Sequence, residues 1–498
     1  MNLESRENFM SDNMEIKKRS LKVNAILNVI KQMCSIIFPM ITFPYASRVL
    51  GTYNYGKINF GSSIISYITL IAALGISTYA IREGAKVRND HDKLSKLCNE
   101  LFSINIISTI VAYVVLFFLI IFWKRLDGYV TLLIIQSLTV LFTTIGTDWI
   151  NSIYEDYLFL TIRYLICQTI SLILMFIIVK SRNDYLNYAF TSVINIVLAN
   201  IINIGYIRKT YKLHPKFTTK INARKHMKPI MALFGSGVAL MIYINSDVTI
   251  LGIFKGEKEV GLYSVSAKIY NLVKQLLNAL LIVSIPRISH EIGNFEQNVV
   301  EEHLGKILHT LLLIIFPASV GLLMLSKNII LLFSGNQYIN AYSSLQILSL
   351  ALIFATIACF FINVVMVPYN QEGRVLFATA VSAIANIVLN VIFIPFWGQN
   401  AAAVTTLIAE MIMTFMGIYY TRKLIRIKIK MKKPLLIGLG GGIVVGLACF
   451  LVLNLLSNII LQIIVSVFVS VILFVIYTFV ADRQIFYYFS GMIKSKVK

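Results

Sequence analysis

The chain reads as an all-α integral membrane protein of about fourteen transmembrane helices, arranged as two six-helix lobes and two extra C-terminal helices. Three observations predict this. Apolar segments fill the sequence from about Ala25 to about Val480, and no stretch between them exceeds roughly twenty residues. Crossing a bilayer core as a helix takes about 20 residues, so each segment is long enough to span. The 498-residue composition agrees, with mean hydropathy +0.77, 57% hydrophobic and 14% charged residues, against about 25% charged in soluble domains. Lastly, Lys and Arg concentrate in alternate loops.

The first block of spans is 25–47, 58–81, 97–122, 129–150, 158–180 and 185–207, closed by a basic cluster from Arg208 to Lys228. The second is 229–254, 261–286, 304–326, 341–367, 375–396 and 401–421, closed by a cluster from Arg422 to Lys433. Spans 435–455 and 458–481 complete the set. In lipid every backbone polar group must be satisfied within its own segment, which makes these helices and not open sheets. The expected organisation is an N-terminal tail (1–22), an N-lobe (23–215), a C-lobe (216–430), a terminal helix pair (431–484) and a C-terminal tail (485–498). The first fifteen residues are polar, carry no cleavage site and lead straight into a span, which argues against a cleaved signal peptide.

The net charge of +22 invites a nucleic-acid partner, but its placement argues against one. With the N-terminus in the cytoplasm, and residues near a span's end counted with the adjoining side, 33 of the 45 Lys and Arg fall on the cytoplasmic side, nine outside and three (Lys31, Lys268, Lys274) within spans. That is the positive-inside asymmetry, and it puts both termini in the cytoplasm. The basic loops are suited to anionic lipid head groups. Five scattered cysteines give neither a disulfide framework nor metal spacing. His290-Glu291 and Glu302-His303 lack an H-E-x-x-H arrangement and read as solvated loop faces.

Both six-helix blocks begin on the same side, as parallel repeats about an axis along the membrane normal do, with a substrate path between them. A glycine echo supports the repeat. Gly51 and Gly56 lie in the first outer turn of block one, and Gly256 and Gly261 in the corresponding turn of block two.

The run Phe43-Pro44-Tyr45-Ala46-Ser47-Arg48-Val49-Leu50-Gly51, then Tyr55-Gly56-Lys57, and Leu74-Gly75-Ile76 ahead of Arg82-Glu83, resembles the start of Wzx-type polysaccharide flippases. These belong to the multidrug/oligosaccharidyl-lipid/polysaccharide (MOP) exporter superfamily. Asn386-Ile387-Val388-Leu389-Asn390, Ile394-Pro395-Phe396-Trp397-Gly398 and Ala401-Ala402-Ala403 through Glu410 resemble that family's eleventh and twelfth helices. Its connecting turn usually carries a second glycine, where this chain has Gln399-Asn400-Ala401. The resemblance implies a V-shaped central cavity and flipping of an undecaprenyl-diphosphate oligosaccharide from the inner to the outer leaflet.

Charge in the bilayer core costs at least about 2.5–3.5 kcal/mol, so the polar residues left there point to function. On the eighth span Ser264, Lys268, Asn271, Gln275 and Asn278 recur at spacings of four and three, one face of a helix, with Lys274 beside them. They are expected to line a wet cavity. The first span carries Asn24, Asn28, Lys31 and Ser35, with Arg48 at its outer end. Lys31 and Arg163 are also placed to snorkel to the inner surface, and Arg48 fits an interfacial anchor as well as a substrate contact. Asp247 sits at nearly the depth of Lys268, either paired with it or acting as a proton- or sodium-dependent switch; Glu410, with no obvious partner, is the other ion-coupling candidate. Asp148, Glu155 and Asp156 read as wetted. Pro39 marks a bend, as a hinge or a fixed kink.

The sign of these charges carries the functional expectation. Ammonium and guanidinium groups suit a diphosphate, and Asn, Gln, Ser and Tyr suit sugar hydroxyls. A carrier of cationic drugs would need buried carboxylates. The expected partner is therefore a lipid-linked oligosaccharide moved by alternating access in the bacterial cytoplasmic membrane, without cofactor beyond a coupling H+ or Na+. The alternatives are a multidrug exporter of the same superfamily and a membrane-embedded polymerase or glycosyltransferase, which short outer loops disfavour.

Overall fold

A computed structural model of the protein describes residues 21–282, 284–425 and 432–481, with side chains from residue 27 onward other than 28 and 29. Residues 1–20 and the expected C-terminal tail lie outside the described residues. Helices α1 (Leu21–Ala73), α2 (Ile76–Val87), α3 (His91–Phe122), α4 (Val130–Gly146), α5 (Tyr157–Ile178) and α6 (Tyr185–Tyr206) build the first half. The second half holds α7 (Ala223–Phe254), α8 (Glu257–Ile282), α9 (Ile285–Asn294), α10 (Gln297–Ser334), α11 (Ala341–Cys359) and α12 (Glu372–Thr421). The chain ends with α13 (Lys432–Leu455) and α14 (Ile459–Ala481).

Among the described residues, twelve helical stretches are long and apolar enough to cross a membrane. The difference from the expected fourteen lies in α1 and α12, both of which double back. α1 breaks at Gly51 (φ 75°, ψ 171°). The rings of Phe43 and Tyr55 lie 6.2 Å apart, where twelve residues of straight helix would separate them by about 18 Å. α12 breaks at Gly398 (φ 54°, ψ −133°), and Thr405 on its second arm donates to Asn390 on its first at 2.5 Å. The turn without its second glycine is held by side chains: Gln399 donates to the Asn340 carbonyl at 2.8 Å, and Ser343 and Ser344 donate to Asn400.

The repeat is physical. After its second arm α1 passes into the amphipathic α2 and then α3, and after α8 the chain passes likewise into the amphipathic α9 and then α10. Gly51 and Gly256 both take positive φ, 75° and 85°, which glycine adopts without penalty. Gly56 and Gly261 lie where α1 crosses α8: a Cβ on Gly56 would overlap the Glu257 carbonyl, and one on Gly261 the Thr52 carbonyl. Each lobe thus supplies half of a backbone-to-backbone crossing.

We call the side of the basic 208–228 linker inner, and the opposite side outer. The lobes are sealed outside. Ser47 donates to Ser334 at 3.0 Å, and Gln337 to the Arg48 carbonyl at 2.9 Å. Arg125 reaches Glu257 at 3.1 Å, and Tyr129 donates to the same carboxylate at 2.7 Å. Along the other seam, Thr249 of α7 meets Ser63 and Tyr67 of α1 at 3.0 and 3.2 Å. α13 lies on α10, with Gly438 against the Leu312 carbonyl and Gly442 against Phe316, small residues allowing close approach in lipid.

Candidate substrate vestibule and buried carboxylates

Helix α8 is the centre of the site because it is packed on several sides and open on one. From Val260 to Ser266 every residue is buried, whereas Lys268, Asn271, Gln275, Leu276 and Ala279 are exposed. The outer half of the helix is therefore enclosed, and its inner half leaves one face uncovered by protein. Its packed face, Tyr263, Ser266 and Tyr270, is fixed to the second half of the chain. Tyr263 donates to Asp247 of α7, Ser266 to the Ala341 carbonyl, and Tyr270 to Glu410 of α12. Lys268, Asn271 and Gln275 point the other way. Ser264, the outermost member of the predicted stripe, is buried with its hydroxyl unpartnered, and the Asn278 side-chain oxygen is likewise without a partner. Together they make a polar face that begins at the enclosed outer end of the helix and runs inward along it.

Lys268 has no ion pair among the described residues. The expected partner, Asp247, is satisfied elsewhere: it accepts from Tyr263 at 2.5 Å, Thr406 at 2.6 Å and Asn390 at 2.6 Å. Asn390 also donates to Asn386 at 3.0 Å, which accepts from Ser246 at 2.7 Å. The Asp247–Lys268 pair does not form, because Asp247 faces α12 and Lys268 faces away from it. Asp247, 6% exposed, is a buried carboxylate held by neutral donors with no cation beside it among the described residues. Glu410 does have a partner: Lys274 lies 2.5 Å away.

The other predicted residues fall into different settings. Lys31 is half-buried on the first arm of α1, near Asp148 and Arg163. Arg163 does not snorkel; it is buried, and its guanidinium grips both oxygens of Asp148 at 2.9 and 2.7 Å. Arg48 spends its donors on the carbonyls of Leu331, Leu332 and Phe333, the unsatisfied end of α10. It ties the lobes together at the outer face. The Asn28 side chain lies outside the described residues. Pro39 is half-buried inside α1, whose one non-helical residue among those described is Gly51.

Glu155 is exposed, as expected, and pairs with Arg88 at 2.8 Å, whereas Asp156 is half-buried and accepts from Tyr206 at 2.5 Å. Glu291 and His303 are not solvated loop residues. They join at 2.8 Å, with Glu291 also held by Arg287, because amphipathic α9 folds against α10. The residues not singled out as site candidates, Tyr243, Tyr263, Tyr270, Asn386, Asn390, Thr405 and Thr406, supply most of the buried polar cluster. Their signal was polar spacing inside apolar spans: Asn386 to Asn390, and Thr406 to Glu410, are both i, i+4.

Two helical lobes, joined by side-chain contacts at the outer end and carrying a lysine-bearing polar face on α8, define a multi-pass membrane transporter fold. Solved structures share it. One described as "Lipid II flippase MurJ, inward closed conformation" matches with TM-score 0.75 and 17% identity, over 93% of this chain and 99% of that one. An inward-facing multidrug resistance MATE family transporter of the MOP superfamily matches with TM-score 0.58 and 14% identity, over 83% and 97%. The chain belongs to the family described as polysaccharide biosynthesis protein, whose sequence model matches residues 21–291. The MatE model matches residues 232–396. Among relatives, the protein named "Putative O-antigen transporter" of Escherichia coli (strain K12) is 25% identical over 437 residues, covering 82% of this chain and 98% of that protein. The "Probable low-salt glycan biosynthesis flippase Agl15" of Haloferax volcanii is 27% identical over 193 residues, 39% of this chain and 41% of that protein.

Proposed function

We propose that this protein is a flippase, not an enzyme. It carries a lipid diphosphate-linked oligosaccharide, on an undecaprenyl-type lipid, from the inner to the outer leaflet of the bacterial cytoplasmic membrane for cell-surface polysaccharide assembly. The observation that carries the reading is Lys268, an unpaired ammonium on a polar wall that opens inward and is enclosed outward. A lone cation at that depth is costly and is compensated by an anionic headgroup. Asn271, Gln275 and Asn278 then face sugar hydroxyls, and Lys274 and Lys31 flank the path. The lipid tail stays in the bilayer between the lobes. The basic loops support a vestibule mouth and both termini on the cytoplasmic side. Transport proceeds by alternating access, with the outer seal of Arg48, Gln337, Arg125 and Glu257 opening as the inner halves close.

Asp247 is the coupling site in this reading. Carboxylate, amide and hydroxyl oxygens around it suit a hard monovalent cation, and a proton would neutralise it equally. The test is a deletion strain complemented with the wild-type or Lys268→Ala gene. Wild type restores surface polymer; the variant, inserted at equal abundance, leaves lipid-linked repeat units on the inner leaflet. Full polymer from the variant refutes the reading. The buried Asp247 and the MatE match favour a second reading, a cation-drug exporter; altered dye efflux with normal polymer would establish it.

A further inference from the structure

We infer that Lys274 is an exchangeable cation, resting on Glu410 in the outward-sealed state and drawn off by an arriving diphosphate, which leaves Glu410 to take up a proton from the wet vestibule. The inference rests on the diphosphate reading above and assigns Glu410 a positioning role within it.

The geometry of the pair is asymmetric. Lys274 is 22% exposed and Glu410 4%, at 2.5 Å from each other. The lysine is reachable from the vestibule and the carboxylate is not. Lys274 sits between Asn271 and Asn278 in sequence, beside the polar wall, on a four-carbon stem whose ammonium is a mobile point charge. An anion bound at Lys268 is about 9 Å along the helix axis from Lys274, within the combined reach of the two side chains and a two-phosphate group. The other groups facing Glu410 are neutral: Tyr270 of α8 at 3.1 Å, Tyr243 of α7 within hydrogen-bonding reach, and Cys359 of α11 near both members of the pair. Tyr243 also lies near Asp247, which Tyr263 binds and which has no cation beside it among the described residues.

Counting charges shows where the proton goes. At rest Lys274 neutralises Glu410, while Asp247 has no cation beside it among the described residues. Withdrawing Lys274 leaves two buried carboxylates with neutral hydroxyl and amide donors only, and like charges in low dielectric do not both stay ionised. One proton enters from vestibule water for each ammonium withdrawn, and it leaves when the diphosphate departs and Lys274 returns. Glu410 is the member whose partner has gone, so it is the carboxylate that receives the proton. Substrate loading and cation uptake become one event.

The test uses the full-length protein in nanodiscs with farnesyl diphosphate as the probe and farnesol as its uncharged counterpart. Wild type that binds the two equally well refutes the diphosphate reading itself. With that reading intact, Glu410→Gln is expected to bind farnesyl diphosphate at least about tenfold more tightly, because Lys274 no longer has a charged competitor. The gain should vanish when Lys274→Ala is added. Equal or weaker binding by Glu410→Gln overturns the exchange. A second readout needs no variant: carbodiimide, which modifies protonated carboxyls in apolar surroundings, should label Glu410 faster when farnesyl diphosphate is present. Unchanged or slower labelling, mapped by mass spectrometry, overturns it too.

Discussion

Substituting Gly261 by alanine tests the outer seal at its tightest point. The added methyl would fall on the Thr52 carbonyl, and the reciprocal one on Gly56 would lie 2.7 Å from the Gly261 nitrogen and 2.8 Å from the Glu257 carbonyl carbon. These are backbone atoms in helices, so no rotamer change relieves the overlap and the crossing itself must widen. Overpacking of this kind costs about 1–3 kcal/mol. The cost falls only on the sealed state, since the lobes separate here when the outer side opens. At 1.36 kcal/mol per factor of ten, the population shifts away from the sealed state by about 5- to 150-fold. The assay is a spin-label distance between Asp127→Cys and Asn336→Cys, exposed positions on opposite lobes, in a cysteine-depleted background. Gly261→Ala should lengthen the distance distribution and slow transport while leaving insertion normal. An unchanged distribution with wild-type export would refute the claim that this crossing holds the outer side shut.

Arg125→Ala, which removes the cation from Glu257 at the same face, should move the same distance in the same direction but less, because the pair is partly exposed and screened. Asp148→Ala leaves the buried Arg163 guanidinium without its bidentate partner. We expect a loss of about 1–3 kcal/mol, discounted for the half-exposed Asp148, read as a lower apparent melting temperature that adding Arg163→Leu partly restores. Asp247→Asn should abolish any stabilisation of the purified protein by sodium; if wild type melts identically with sodium and with choline, sodium is not the coupling ion. Lys268→Ala should weaken farnesyl diphosphate binding by about 10- to 100-fold, one charge-assisted hydrogen bond, and an unchanged affinity would remove Lys268 from the binding wall.

Much of this architecture was legible in the chain because lipid imposes simple rules. Backbone groups without water must close their bonds within a helix, so apolar length alone located the spans. The stripe on α8 was visible for the same reason: spacing of three and four fixes a face whatever surrounds the helix. Four glycines even betrayed the repeat. What spacing along one helix cannot reveal is which neighbour each face meets. Lys268 and Asp247 lie at matching depth in sequence, yet tertiary packing turns Asp247 toward Asn390 and Thr406 and hands Glu410 to Lys274 instead. Arg48 likewise reads as a free charge until the carbonyl end of α10 arrives beside it from almost three hundred residues away. Charge placement is written in the sequence; charge pairing is decided by the crossing of helices, because a buried ion is stabilised only by what lies within a few ångströms of it.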